Sequence, residues 1–171
     1  MDAGRFTELL RTHRGLIYKI AFAYCRNPTE REDVIQEIAA QLWRARDRYD
    51  STFRETTWIY RIALNVAISC YRRTYRHGAR EVGLDTDAFA TEAVEPSPAL
   101  EHLLRVIDGL RPLDKALVLL YLDDNDHAAI AEVLGISTSN VGTKLARIKH
   151  ELRASVAMDV TDAKEDSHGA R

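Results

Sequence analysis

Proline and glycine are scarce in this chain, four and eight among 171 residues, and its β-branched runs are short. Few helix breakers, with Ala, Leu, Arg and Glu in plenty, disfavour a sheet protein and favour an all-α one. There are two cysteines, Cys25 and Cys70, each beside apolar residues. They offer no disulfide framework and read as two buried, reduced thiols. The six histidines are scattered, with no Cys/His spacing for zinc, so no metal site is expected. The longest apolar run, Ala116–Leu122, is far too short to span a bilayer. Met1-Asp2-Ala3-Gly4-Arg5 has none of the layout of a signal peptide. A cytoplasmic protein without direct membrane insertion is the expectation. No P-loop, Gly-rich phosphate cradle or convergent acid–base set occurs, so no catalytic residue, cofactor or small-molecule substrate is expected, and no enzyme.

Acid is absent from one long stretch. Between Thr56 and Arg80 there is no Asp or Glu, while Arg61, Arg72, Arg73, Arg76 and Arg80 are present. The acids collect in Glu81–Glu95, in Asp123–Glu132 and after Asp159. The net charge is only −2. A local patch steers phosphate binding, so segregation outweighs the sum, and the acidic remainder weakens indiscriminate DNA binding.

Apolar spacing predicts the helices. Phe6, Leu9, Leu10, His13, Ile17, Ile20, Ala21 and Tyr24 recur at three- and four-residue steps, predicting one amphipathic helix ending near Cys25. Asn27-Pro28-Thr29-Glu30 starts a second: Asn27 caps and Pro28 suits the first helical position. Its buried stripe is Val34, Ile35, Ile38, Leu42 and Ala45, running to about Asp47. Tyr49–Thr57 reads as a loop, and a third long helix runs to about Arg76 with an apolar stripe of Trp58, Ile59, Ile62, Ala63, Val66, Ala67 and Cys70. On another face Arg61, Asn65, Ser69, Arg72 and Arg76 recur at helical spacing. Arginines neutralise phosphates, Asn can bond a base edge, and the preceding aromatics could hold an unstacked base. A solvated basic face is the plain alternative.

From His77 to Ala99 the chain is acidic and aperiodic, with Pro96 and Pro98, and reads as a flexible linker. Patterning resumes at Leu100, Leu103, Leu104, Ile107 and Leu110, and Pro112 starts a helix through Leu122. A helix-turn-helix follows. Ile130, Val133 and Leu134 face inward, Gly135 takes the left-handed turn, Ile136 tucks into the core and Ser137 caps the second helix. Val141, Leu145, Ile148 and Leu152 anchor that helix to about Arg153, leaving Thr138, Ser139, Asn140, Thr143, Lys144 and Arg147 exposed toward a major groove. The polar, acidic tail reads as disordered. The expected layout is thus all-α: a helical domain over 1–80, an acidic linker over 81–98, a helix-turn-helix domain over 99–155 and a disordered acidic tail over 156–171.

Three strings, Asp33-Val34-Ile35-Gln36-Glu37-Ile38 with Leu42-Trp43, Thr57-Trp58-Ile59-Tyr60-Arg61-Ile62-Ala63-Leu64-Asn65, and Ile130-Ala131-Glu132-Val133-Leu134-Gly135-Ile136-Ser137, occur in one order along the chain. In this the chain resembles the extracytoplasmic-function sigma factors, the smallest bacterial sigma factors. The likeness covers nearly everything from Phe6 to Arg153. It implies that Asp33, Gln36, Glu37, Gln41 and Arg44 meet the β′ clamp helices of core RNA polymerase. It implies that the Tyr49–Thr57 loop with Arg61, Asn65 and Ser69 recognises and opens the −10 promoter element, and that Arg72, Arg73 and Arg76 hold its backbone. The helix-turn-helix would read the −35 element and touch the polymerase β flap. The linker would thread the polymerase toward its RNA exit channel. An anti-sigma factor is a partner expected from the resemblance alone. Ala39-Ala40, Asn125–Ala129 and Gly142 depart from the family pattern, the last two bearing on the −35 contacts. Two rivals remain open: a stand-alone helix-turn-helix regulator, and a sigma-like decoy for an anti-sigma factor.

Overall fold

The computed structural model describes residues 1–25, 27–76 and 107–166, without the side chains of 75–76 and 155–166. The expected linker 81–98 and residues 167–171 lie outside the described residues. Among the described residues every regular element is helical. The α-helices are α1 (Ala3–Thr12), α2 (Arg14–Tyr24), α3 (Pro28–Ala45), α4 (Glu55–Arg76), α5 (Pro112–Leu122), α6 (His127–Leu134) and α7 (Thr138–Asp166). A 3-10 turn at Arg46–Arg48 follows α3.

The single helix expected over Phe6–Cys25 is instead two, broken at His13 (φ −103°, ψ 13°). The hydrogen-bond ladder barely notices the break: His13 N–H donates to Leu9 O, and His13 O accepts from Ile17 N–H. Apolar spacing therefore runs through it, burying Phe6 and Leu9 on one side and Ile17, Ile20, Ala21 and Tyr24 on the other. Asn27 caps α3, its side chain accepting from Thr29 N–H, with Pro28 in the first turn. α4 starts at Glu55 and takes the last three residues of the expected loop.

α4 is the centre of the molecule. It packs on α2 and α3 on one side and on α5 and α6 on the other. Its buried apolar residues are Ile59, Tyr60, Ala63, Leu64 and Ala67. The expected stripe omits Tyr60 and Leu64, while Trp58, Ile62, Val66 and Cys70 are only half-buried. A helix covered on two sides needs a wider apolar face than one amphipathic stripe supplies. Fully burying Ile59 or Leu64 contributes roughly 1.5–3 kcal/mol each.

Polar ties cross from α2 and α4 to the C-terminal helices. Tyr24 Oη donates to Pro112 O at 2.7 Å. Lys115, 2 % exposed, donates to Ala23 O and pairs with Asp108, each at 3.0 Å. Asp123 accepts from Lys19 and from Tyr60 Oη. A buried ammonium is tolerable because a carbonyl and a carboxylate both meet it.

The last helix also corrects an expectation. α7 continues to Asp166, past the predicted end near Arg153 and into the tail expected to be disordered. Residues 154–166 contain no Pro or Gly and include Ala154, Ala157, Met158, Ala163, Lys164 and Glu165, which favour helix even where nothing amphipathic is visible.

Candidate nucleic-acid interface

The polar face of α3 is organised around Glu37. Its Oε1 accepts from Gln41 Nε2 at 2.7 Å and lies 3.4 Å from Arg44 NH1. Asp33, Gln36 and Arg44 are exposed, Glu37 and Gln41 half-buried. The i, i+4 and i, i+7 spacings put these groups on one side, while Val34, Ile38 and Leu42 hold the other in the core. This face does not stand apart from α4. A groove of about 790 Å³ between the helices is lined by Asp33, Glu37 and Gln41 on one wall and Asn65, Ser69 and Arg73 on the other.

On α4, Arg61, Asn65, Ser69, Arg72 and Arg73 are all exposed. The side chain of Arg76 lies outside the described residues. Arg72 and Arg73 form no ion pair among the described residues; Arg73 only approaches Cys70 Sγ at 3.5 Å. Aromatics gather at the N-terminal end. Tyr49 and Trp58 rings sit 5.0 Å apart, Tyr49 Oη donates to Phe53 O, and Phe53, 45 % exposed, lies 5.9 Å under the Arg61 guanidinium. A rigid pair beside an exposed ring and a cation can stack an unpaired base.

Arg61 is nevertheless occupied. Its Nε and NH2 donate to the backbone carbonyl of Glu132, at 3.0 and 2.7 Å, on the first helix of the helix-turn-helix. Sequence reasoning placed Arg61 toward DNA and did not foresee this partner, 71 residues away.

The helix-turn-helix forms by the chemistry expected of it. Asp126 caps α6 through Ala129 N–H at 2.7 Å, Gly135 turns at φ 67°, and Ser137 Oγ accepts from Asn140 N–H. Val141, Leu145 and Ile148 are buried and Leu152 is half-buried. Two departures from the family pattern meet here. A Cβ at Gly142 would stand 3.7 Å from the His127 ring, so the imidazole covers the flank the glycine leaves open.

Thr138, Ser139, Asn140 and Thr143 stand on the exposed face of α7 as expected. Lys144 and Arg147 do not simply project outward. Lys144 is half-buried, and Arg147 NH2 donates to Asp114 Oδ2 at 2.8 Å while NH1 donates to Glu151. Arg111 Nε reaches the same Oδ2 at 2.9 Å. Burial opposes ionisation of Asp114, but the hydrogen bonds from Arg147 and Arg111 outweigh it and hold the carboxyl below its ordinary range. No local pattern announces Asp114; an acid in a first helical turn is ordinary, and its partner on α7 is 33 residues away.

Both cysteines are free. Burial, aided by nearby Cys70, pushes the Cys25 thiol up to about 12, as befits an inert core thiol. Among the described residues no helix is long and apolar enough to cross a membrane.

Known proteins match this architecture in both halves. Residues 9–77 match the family model for sigma-70 region 2, and residues 100–152 that for sigma-70 region 4. The chain is 25 % identical over 169 residues to the ECF RNA polymerase sigma factor SigW of Bacillus subtilis, covering 89 % of each. It is 27 % identical over 167 residues to the RNA polymerase sigma factor CnrH of Cupriavidus metallidurans, covering 90 % of this chain and 87 % of that one. The fold is that of the sigma factor RpoE of Bartonella quintana, solved with the anti-sigma factor NepR: TM-score 0.69 at 17 % identity, over 91 % of this chain and 98 % of that one. With region 2 helices carrying an open basic face and region 4 helices forming a capped helix-turn-helix, the chain belongs to the extracytoplasmic-function sigma factors of bacterial RNA polymerase.

Proposed function

We propose that this sigma factor divides its work along the boundaries 1–80, 81–98 and 99–155. The first segment docks on the β′ clamp helices through Asp33, Gln36, Glu37, Gln41 and Arg44 and opens the −10 element with Arg61, Asn65 and Ser69. Arg72, Arg73 and Arg76 hold the −10 backbone. The third segment reads the −35 element with Thr138, Ser139, Asn140 and Thr143, and its Lys144 and Arg147 lie on the same DNA-facing side. Nucleotidyl transfer belongs to the polymerase, and this chain acts in the cytoplasm as a dissociable, non-enzymatic specificity subunit.

The observation that carries this reading is the shared groove between α3 and α4. Asp33, Glu37 and Gln41 on one wall and Asn65, Ser69 and Arg73 on the other support a reading in which the clamp and the unwound strand lie side by side. The tie from Arg61 to Glu132 adds a condition. The −10 and −35 elements lie roughly 25 base pairs apart, about 85 Å of duplex at 3.4 Å per base pair. Helices that touch cannot reach both, so the two units part on the polymerase. Before that, the docked form engages Nε and NH2 of Arg61 and restrains the free protein from duplex DNA. A partner of the anti-sigma kind, as RpoE has in NepR, would act by holding the same closed form.

Run-off transcription with purified core polymerase on a pool of genomic promoter fragments tests the assignment. Discrete new transcripts sharing two upstream motifs are the expected result. No added transcripts, together with nanomolar operator binding by the free chain, would make it a stand-alone regulator instead.

A further inference from the structure

Three cations of the C-terminal unit converge on one buried carboxylate. The side chain of Asp114, in the first turn of α5, is 3 % exposed. Its Oδ2 accepts from Arg147 and Arg111. Lys144 Nζ stands 3.8 Å from Oδ1, an oxygen that accepts no hydrogen bond. Glu151 takes the remaining outer nitrogen of Arg147 at 2.7 Å. Three positive and two negative groups leave one positive charge in excess, on a surface where the Arg111 side chain is 71 % exposed and that of Arg147 40 %.

A guanidinium with both outer nitrogens on carboxylates is poorly placed to fork onto the O6 and N7 of a guanine. Each of those nitrogens keeps a second N–H, and a phosphate needs only donors and charge. The carboxylate itself lies where the dipole of α5 favours it. It fixes Arg111 and Arg147 by hydrogen bonds and draws Lys144 alongside before any DNA arrives, so less rotamer freedom is lost on binding.

We propose that Asp114 is a positioning residue, and that the Arg111, Lys144 and Arg147 it gathers grip a backbone phosphate beside the −35 element. The cluster sets affinity and register but carries no sequence information. This rests on α7 being the −35 helix. It makes Lys144 and Arg147 phosphate contacts, leaves base reading to Thr138, Ser139, Asn140 and Thr143, and adds Arg111 to the DNA surface.

The test uses holoenzyme assembled from core polymerase and the full chain, on a promoter it transcribes. Binding is followed against salt, and −35 preference is read from a pool randomised at that element. Asp114→Asn adds positive charge to a DNA-facing surface. If Asp114 positions the cations, binding still weakens, by about tenfold for two or three released side chains. If Asp114 merely damps charge, binding tightens and its salt dependence steepens, which overturns the proposal. Arg111→Ala and Arg147→Ala should each flatten the log–log salt slope by about 0.9, or about 3.5-fold less affinity lost between 50 and 200 mM salt. Base preference at −35 should stay unchanged in both. Should Asp114→Asn fail to fold, these two surface variants decide. Asn140→Ala separates the underlying reading from the cluster. An unchanged −35 preference there overturns α7 as the reader and the cluster with it. A changed preference there, with unmoved salt slopes in the arginine variants, overturns the cluster alone.

Discussion

The two basic helices hold their arginines in different ways. On α4, Arg61 is tied across the molecule to a backbone carbonyl of α6, while Arg72 and Arg73 stand open. On α7, Arg147 is tied within its own unit to buried Asp114. The first tie is lost when the units separate; the second travels with its helix. On the proposed reading, Arg61 of the region 2 face is kept occupied until polymerase opens the molecule, whereas the region 4 cluster is built in advance.

The largest test of this contrast is charge reversal on the open arginines. Arg72→Glu with Arg73→Glu would turn the two proposed phosphate contacts into repulsions and should lower promoter output by about a hundredfold or more at physiological salt. Core binding, measured in the same samples, should be kept. Undiminished output would leave the α4 face without a role in DNA and revive the decoy.

Next comes the tie between units. Asp123→Ala removes the acceptor shared by Tyr60 and Lys19 and leaves the buried phenol with Asn125 as its hydrogen-bond neighbour. Docking should weaken by about 1–3 kcal/mol. Hydrogen exchange should quicken in α6, against which α4 packs, while α7 keeps its protection near Asp114. Equal protection in the variant and the native chain would mean that the units do not depend on this tie.

A smaller effect is expected at the turn ahead of α7. Gly135 sits at φ 67° with open space where a Cβ would go. Gly135→Ala meets no clash and pays only backbone strain, about 1–2 kcal/mol, read as a lowered melting temperature. A loss well beyond that would show the turn to be coupled to the unit interface.

The smallest is a pH effect at the Asp114 cluster, which joins α5 to α7. The carboxyl of Asp114 titrates below the ordinary 3.8, so the fold prefers its ionised form. Its contribution is complete above the ordinary carboxylate range and fades as pH falls below about 3.8 through the lowered folded value. Melting followed into acid should therefore fall less steeply in Asp114→Asn than in the native chain. Superimposable acid profiles would contradict the assignment.

Residue order alone was enough for the helical class, the Asn27 and Ser137 caps, the left-handed Gly135 and the buried faces of α3 and α7. Each depends on neighbours within about one or two helical turns, where spacing and capping chemistry act directly. The exposed Asn65, Ser69, Asn140 and Thr143 were legible for the same reason, as the polar remainder of a periodic face. The break at His13 was not, because its hydrogen bonds keep the apolar period intact across it. Nor was the width of the α4 core: Tyr60 and Leu64 are buried because α5 and α6 cover a second side. The partners of Arg61, Lys115 and Arg147 lie 71, 92 and 33 residues away. Pairings at such separations are set by how helices pack once they have formed, and no periodicity along the chain encodes them.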